Sequence, residues 1–360
     1  MWNDGVIEKT VARMRRIGQV ALMSMLAATA GIASAQDANA PTVVKVGVLN
    51  SLAEVVTFIA LDKGYFKEEG LDVRLEKFSN TADMVAPLSS GQIDIASGAP
   101  TLGLFNGALR GLPFKLVADK GRNSPGHGFN AIVVRKDLID SGKVKTMADL
   151  KGMKVATASL HSPMEQQLEI ALQKVGLKNK DVVIENLGFP DMVAALGNKA
   201  IDAALMIEPF VAVASRRGVG VRFVGVDDIA PDFQIAGIIY GPEFVKSKPE
   251  AAKRWMVGYI KGIRAYLDDV DGKGSKEVIS AALRKHATGF SDPAALAGVV
   301  YPGFSPDGYL NLQTIRDSID WYSERGLLKA KPKVSELVDY QYLDYALERL
   351  GRRGPPQKVD

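Results

Sequence analysis

The sequence predicts an α/β protein of two lobes, each a mixed sheet flanked by helices, with a ligand cleft between them. Three observations carry this. First, the phrase DMVAPLSSGQIDIA, starting at Asp83, returns as DMVAALGNKAIDAA, starting at Asp191, with eight of fourteen positions identical and no gap. Second, the order strand–helix–strand–helix–strand–helix–strand occurs twice around these phrases. Third, two strand-like segments, 128–138 and 233–244, belong to neither copy and are long enough to cross between lobes. A twofold repeat of whole βαβαβαβ units favours two lobes over a solenoid, which stacks smaller units many times. The bland alternative is a chance match within a common supersecondary pattern.

The elements follow in chain order. VVKVGVL (43–49) is a valine-rich buried strand. AEVVTFIALDKGYFKEEG has helical spacing and stops at Gly70. LDVRLEKF (71–78) alternates as a strand does, and TADMVAPLSSG is a short helix. IDIASGA (93–99) is a strand, Pro100 opens the next helix, and FKLVADKG is a fourth strand. The second copy begins with the strand MKVATAS (153–159). A helix follows, with Ser162 as N-cap, Pro163 at its first position and Gly176 as its stop. DVVIENL, IDAALMI and VRFVGV are strands, with DMVAALGNKA and PFVAVASRRG as the helices between them. The repeat spans Lys45 to Asp94 and again Lys154 to Asp202. From Pro249 the chain is mostly helical, with Trp255, Tyr259, Ile263 and Tyr266 on one core-facing stripe. The boundaries expected are 1–35 for a leader, 36–127 with 239–350 for lobe one, 128–238 for lobe two, hinge strands near 128–136 and 233–241, and a frayed tail over 351–360.

The leader is read from RMRR (13–16), the apolar stretch 17–33 and the small residues ASA (33–35), a secretory signal cut before Gln36. A membrane anchor is the alternative, and Met14 is a second candidate start. Removing four basic residues (Lys9, Arg13, Arg15, Arg16) and two acidic ones (Asp4, Glu8) takes the formal charge from +4 to +2. So mild a balance argues against nucleic acid, which requires a concentrated basic face. Apolar residues make up 47% of 360 and charged residues 24%, ordinary for a globular chain. No cysteine is present, which excludes disulfides, thiol chemistry and a lipid anchor on cysteine. A monomer diffusing in the periplasm is the expectation.

ALDKGYFKEEGLDVRLEKF, LSSGQIDIASGAP, IVVRKDLIDSGKVKTMADLKGMKVATAS and IDAALMIEPF together resemble the periplasmic substrate-binding proteins of ABC importers. The nitrate/sulfonate/taurine-type group, related to binders of thiamine-pyrimidine precursors, is the branch they resemble. The resemblance runs from about Val43 to Gly326. It implies a type II-like binding-protein fold that closes on a ligand by a hinge and then docks on a membrane permease with its ATPase. Closure would follow from differential affinity, since ligand touches both lobes only in the closed state. A sensory protein presenting ligand to a receptor is an alternative. So is an enzyme like the fungal pyrimidine synthase, although that enzyme depends on cysteines this chain lacks.

In open α/β sheets ligands sit beyond the carboxyl ends of strands. In lobe one this selects Asn50, Ser51, Ser97, Gly98, Pro100, Thr101 and Arg122. In lobe two it selects Ser159, His161, Ser162, Asp191 and Glu208, with Tyr240 on the return crossover. Unpaired N–H groups at Thr101 and Ser162 would suit an anionic head such as a sulfonate, nitrate or carboxylate. Ser162 is equally an N-cap. His161 is a ligand contact or plain loop polarity. Arg122 could clamp a carboxylate or stay solvated. Glu208 could hold an ammonium group, as in taurine-like zwitterions, or cap the next helix. Tyr240 lines the cleft or packs the hinge. The resemblance expects a tryptophan before the acid of IEPF, where this chain has Ile207. No metal-ligand spacing, nucleophile elbow or phosphate loop occurs, so no cofactor and no catalysis are expected.

Overall fold

The computed structural model describes residues 40–273, 277–288, 290 and 296–359. The leader expected at 1–35 lies outside them. From Thr42 onward the chain is one compact unit built on two five-stranded sheets. The strands are β1 (Thr42–Leu49), β2 (Leu71–Phe78), β3 (Ile95–Gly98), β4 (Lys115–Asp119), β5 (Arg122–Asn123), β6 (Asn130–Arg135), β7 (Lys154–Thr157), β8 (Val183–Asn186), β9 (Ala203–Ile207), β10 (Gly220–Gly225), β11 (Phe233–Gln234) and β12 (Gly237–Tyr240). The first sheet runs β2-β1-β3-β12-β4 and the second β8-β7-β9-β6-β10. The helices used below are α1 (Val55–Asp62), α2 (Val85–Ser89), α3 (Leu102–Leu109), α4 (Pro163–Gln173), α5 (Phe189–Gly197), α6 (Phe210–Arg216), α7 (Pro249–Val270), α8 (Leu312–Glu324) and α9 (Gln341–Leu350).

The two sheets repeat each other. In each, the first strand of the copy pairs in parallel with the second and third. An antiparallel strand from the crossing segments then inserts beside the third: β12 in one sheet, β6 in the other. The repeated Lys and Asp explain themselves here. The Lys45 N–H donates to the Asp94 carboxylate at 2.8 Å and the Lys154 N–H to the Asp202 carboxylate at 2.9 Å. Each Asp returns its own N–H to the same lysine's carbonyl. A cation neutralises each acid, Lys248 at 3.0 Å from Asp94 and Arg135 at 3.0 Å from Asp202.

Valines at alternate positions of β1 (Val44, Val46, Val48) are buried against helices, as a period-two strand requires. The stripe on α7 is fully buried. Trp255 stacks between Phe66 and Tyr259, at ring separations of 5.3 and 4.9 Å. Gly262 lets α7 ride close over α1: a Cβ there would stand 2.6 Å from the Val56 carbonyl oxygen. Gly262→Ala should therefore destabilise the chain by about 1–3 kcal/mol, read as a lowered urea midpoint. An unchanged midpoint would show that the helices can part freely.

The crossings differ from the expectation in one respect. The segment 128–136 is assigned to the hinge from sequence, yet β6 lies wholly within the second sheet, between β9 and β10. Its residues face both ways into core, Ile132 and Val134 on one side and Ala131 and Val133 on the other. The crossing is made earlier, by β5, which pairs with β11 over two residues each. At the other end, the Arg353 and Gly354 N–H groups donate to the Asp307 carboxylate at 2.7–2.9 Å.

Candidate functional site

The carboxyl ends of β1, β3 and β4 meet at a buried carboxylate that the sequence reading passed over. Glu54, fully buried, accepts from the Leu49 N–H (2.9 Å) and the Ser97 hydroxyl (2.7 Å), and pairs with the Lys120 ammonium at 2.8 Å. Ser97 is thus committed to Glu54. Ser51 is buried, and its carbonyl accepts from the Glu54 N–H. Asn50 spends both ends of its amide on the backbone of Thr288. Gly98 is a close-approach position: a Cβ would lie 2.5 Å from the Thr81 hydroxyl, which accepts from the Ala99 N–H. Pro100 is buried in the turn that follows.

Thr101 starts α3 in extended backbone, with its hydroxyl buried and unpartnered. The first N–H group at this helix start is already spent. Thr101 donates to the Ala99 carbonyl. Tyr322, on α8, packs at a tilt against Phe105 of α3, with ring centres 5.5 Å apart, and donates to the His161 carbonyl at 2.9 Å. Its phenol sits between the two segments singled out from sequence, joining α3 to the loop before α4. Burial pushes this phenol well above its ordinary pKa, so it stays a neutral donor.

At the start of α4, His161 has φ 52° and an exposed ring. Its N–H donates to Glu165 at 2.6 Å. Ser162 is buried at the N-cap, but its hydroxyl donates to the Ser159 carbonyl at 2.7 Å instead of capping. Ser159 donates to Leu160. Asp191 lies exposed in the first turn of α5. Glu208, fully buried after β9 and joined to Pro209 by a cis peptide, accepts from the Ala212 N–H (3.1 Å) and from the Val300 N–H (3.3 Å), with Arg222 at 3.6 Å. It therefore caps α6, the second of its two sequence readings, and it also ties the 296–304 segment to lobe two.

The N-termini of α4, α5 and α6 each carry their own carboxylate (Glu165, Asp191, Glu208), which already offsets the positive end of the helix dipole. Two other candidates drop out. Arg122 is held by the Asp119 carboxylate (3.2 Å) and the Tyr309 carbonyl, so its fork is spent within the hinge. Tyr240 is buried inside lobe one among Phe244, Trp255 and Tyr342, with its hydroxyl on the Ala252 carbonyl at 2.8 Å. The residue before the acid, Ile207, packs into the core of lobe two.

Desolvation pushes the Glu208 carboxyl above its ordinary value of 4.5, against the lowering effect of the Ala212 and Val300 N–H groups and of Arg222 and Arg216. The folded state then binds this proton more tightly than the unfolded one. Stability from this group falls as pH rises from 4.5 through the raised value. Glu208→Gln should flatten that part of a pH series of urea midpoints. A slope identical to the parent's would sink the assignment.

The family model described as NMT1/THI5 like matches residues 54–271. The chain belongs to this family. A binding protein of Brucella abortus is 30% identical over 204 residues, covering 55% of this chain and 59% of the relative. A Saccharomyces cerevisiae relative, 26% identical over 225 residues (59% of this chain, 62% of the relative), is a 4-amino-5-hydroxymethyl-2-methylpyrimidine phosphate synthase. The chain thus spans about three fifths of the length of these curated relatives. Among solved structures, the periplasmic nitrate-binding protein of Synechocystis superposes with TM-score 0.71 at 17% identity, over 88% of this chain and 90% of that one. The ligand-binding component of an ABC-type import system from Staphylococcus aureus gives 0.70 at 18%, over 85% and 99%. These likenesses establish the periplasmic binding-protein fold. No cluster of three or more metal-ligating side chains occurs among the described residues, and no described helix is long and apolar enough to cross a membrane.

Proposed function

We propose that this NMT1/THI5-like chain is the substrate-binding component of an ABC importer, closing two lobes on a small polar solute and delivering it to a membrane permease. The observation that supports this most is Tyr322. Its ring packs against Phe105 of one lobe and its hydroxyl donates to the His161 carbonyl of the other, which supports a crevice shared by the two repeated units. The two short crossings β5 and β11 supply the hinge. Sulfonate, nitrate and carboxylate solutes, taurine-like zwitterions and pyrimidines form the panel to screen.

Thermal shift against that panel is the test. The true solute should stabilise the chain by about 2.7 kcal/mol at a hundredfold excess over Kd, and small-angle scattering should show compaction on binding. If no solute stabilises or compacts it, the carrier reading fails. A second reading, an enzyme of pyrimidine synthesis, is favoured by the yeast relative's name. Against it stands the absence of cysteine from the sequence. Chemical turnover of a bound pyrimidine would decide for it.

A further inference from the structure

Three amide side chains meet where the hinge strand enters lobe two. Asn123 lies on β5, Asn130 is the first residue of β6, and Gln167 sits on α4, one turn inside the helix that begins beside His161. All three are completely buried. The Asn130 backbone N–H donates to the Asn123 side-chain carbonyl at 3.4 Å, and the Asn130 amide donates to the Gln167 carbonyl at 2.9 Å. The other contact of the Asn130 amide is the Met164 sulfur at 3.3 Å. Each side chain keeps one polar atom with no partner: the Asn123 NH2, the Asn130 carbonyl and the Gln167 NH2. The Thr157 hydroxyl, on the same face of the sheet at the end of β7, is also buried and unpartnered.

Leaving a buried polar group unpaired costs about 1–3 kcal/mol each. Three such atoms on linked side chains are unlike the scatter of a well-satisfied core. Rotating the Asn130 and Gln167 amides together only exchanges their roles; one donor and one acceptor still remain. Their position also matters. Asn130 stands in register with Ile207, the last residue of β9, so the triad lies at the carboxyl-end edge of the second sheet, where solutes bind in open α/β folds.

The charges around it narrow the chemistry. Glu208 follows Ile207 directly, and its N–H donates to the Phe129 carbonyl beside Asn130. Glu165, two residues before Gln167 on α4, turns to the other side of that helix, where it accepts from the His161 N–H and faces Asn179. Two cations act on Glu208 from this side, Arg216 and Arg222; Arg222 stands 3.6 Å from it and donates to the Gly128 carbonyl at 2.5 Å. An anionic head group would meet the Glu208 carboxylate here and cations that already face that carboxylate. An uncharged group with a carbonyl and an N–H meets two NH2 donors and one carbonyl acceptor.

We infer that Asn123, Asn130 and Gln167 form a reading site for an uncharged amide-type group, a carboxamide or ureide, on the transported solute. This rests on the carrier reading above and adds the class of the ligand. The solute carbonyl accepts from the Asn123 and Gln167 NH2 groups, and its N–H donates to Asn130.

Matched pairs of nearly equal shape test it: nicotinamide with nicotinate, benzamide with benzoate, and propionamide with propionate. The full chain, unfolded and refolded to strip carried-over solute, is titrated calorimetrically with each, and with nitrate and methanesulfonate. In at least one pair the amide should bind ten times or more tighter than its carboxylate. Gln167→Leu, checked for folding by circular dichroism, should lose that preference at least tenfold, while Asp228→Asn, at an exposed position outside the triad, should keep it. Three results overturn the inference: a carboxylate preferred, amide affinity unchanged in Gln167→Leu, or no binding by either member of any pair, which leaves the triad to ordered water. Nitrate or methanesulfonate binding that Gln167→Leu does not alter would overturn the inference and leave the carrier standing. Only silence across the whole panel of solutes would take the carrier reading down as well.

Discussion

Asp119→Ala should remove about 3–5 kcal/mol of stability, because it breaks a buried charge pair by deleting one partner. Asp119 is fully buried at the end of β4. One carboxylate oxygen accepts from the Gly121 N–H and the Gln234 amide, both at 2.7 Å; the other accepts from Ser305 N–H at 2.7 Å and from Arg122 at 3.2 Å. These partners come from both crossings and from the segment that follows α7. The knot therefore fixes where the hinge strands leave lobe one. Alanine would leave the Arg122 guanidinium, largely buried, with only the Tyr309 carbonyl. Urea unfolding followed by circular dichroism measures the loss, with the slope unchanged if the effect is confined to the folded state. A loss below about 1 kcal/mol, the range of an exposed pair, would show that water reaches this carboxylate.

Glu54→Ala should cost a comparable amount, about 3–5 kcal/mol, for the same reason. Lys120 would be left only 3% exposed without a counter-charge, and the Leu49 N–H and Ser97 hydroxyl would lose their acceptor. The decisive measurement is a double variant. Replacing Glu54 and Lys120 together by methionine removes both charges, and buried pairs exchanged for apolar residues are often neutral or better. The double variant should therefore recover most of the loss. If it unfolds as readily as Glu54→Ala, the damage comes from packing and not from an orphaned charge.

Much of the fold was legible because its signals are local and periodic. The duplicated DMVA and ID phrases mark equivalent helices and strands, and the ID aspartates make the same bond in both sheets. The stripe on α7 reads directly as core. The first crossing was not legible at its true place. Arg122–Asn123 is two residues long and polar, too short to show a period, whereas the apolar run after Gly128 looks like a strand that must travel. Turn residues in GRNSPGHG were the available hint.

The site was less legible, for a physical reason. Sequence places residues at strand ends but does not say whether their polar atoms are already spent. Ser97, Arg122 and Asn50 occupy suitable positions, yet each has intramolecular partners. Tyr322 stands more than two hundred residues beyond α3, and nothing in the helical pattern of α8 points its hydroxyl toward His161. The buried amides were hidden likewise, since nothing in the sequence brings Asn123, Asn130 and Gln167 together or shows them buried. Glu54 could have been found: an acid inside the otherwise apolar run LAEVVTFIALD needs a buried cation.

The placement of β12 bears on the order in which a growing chain can settle. Every strand of the second sheet lies between residues 130 and 225, so that half is complete in one unbroken stretch of synthesis. The first sheet is different. Its β3 and β4 stay apart until Gly237–Tyr240 arrives to lie between them. The amino-terminal half, made first, is thus finished last. Until then it presents two unpaired edges of the kind that recruit other chains.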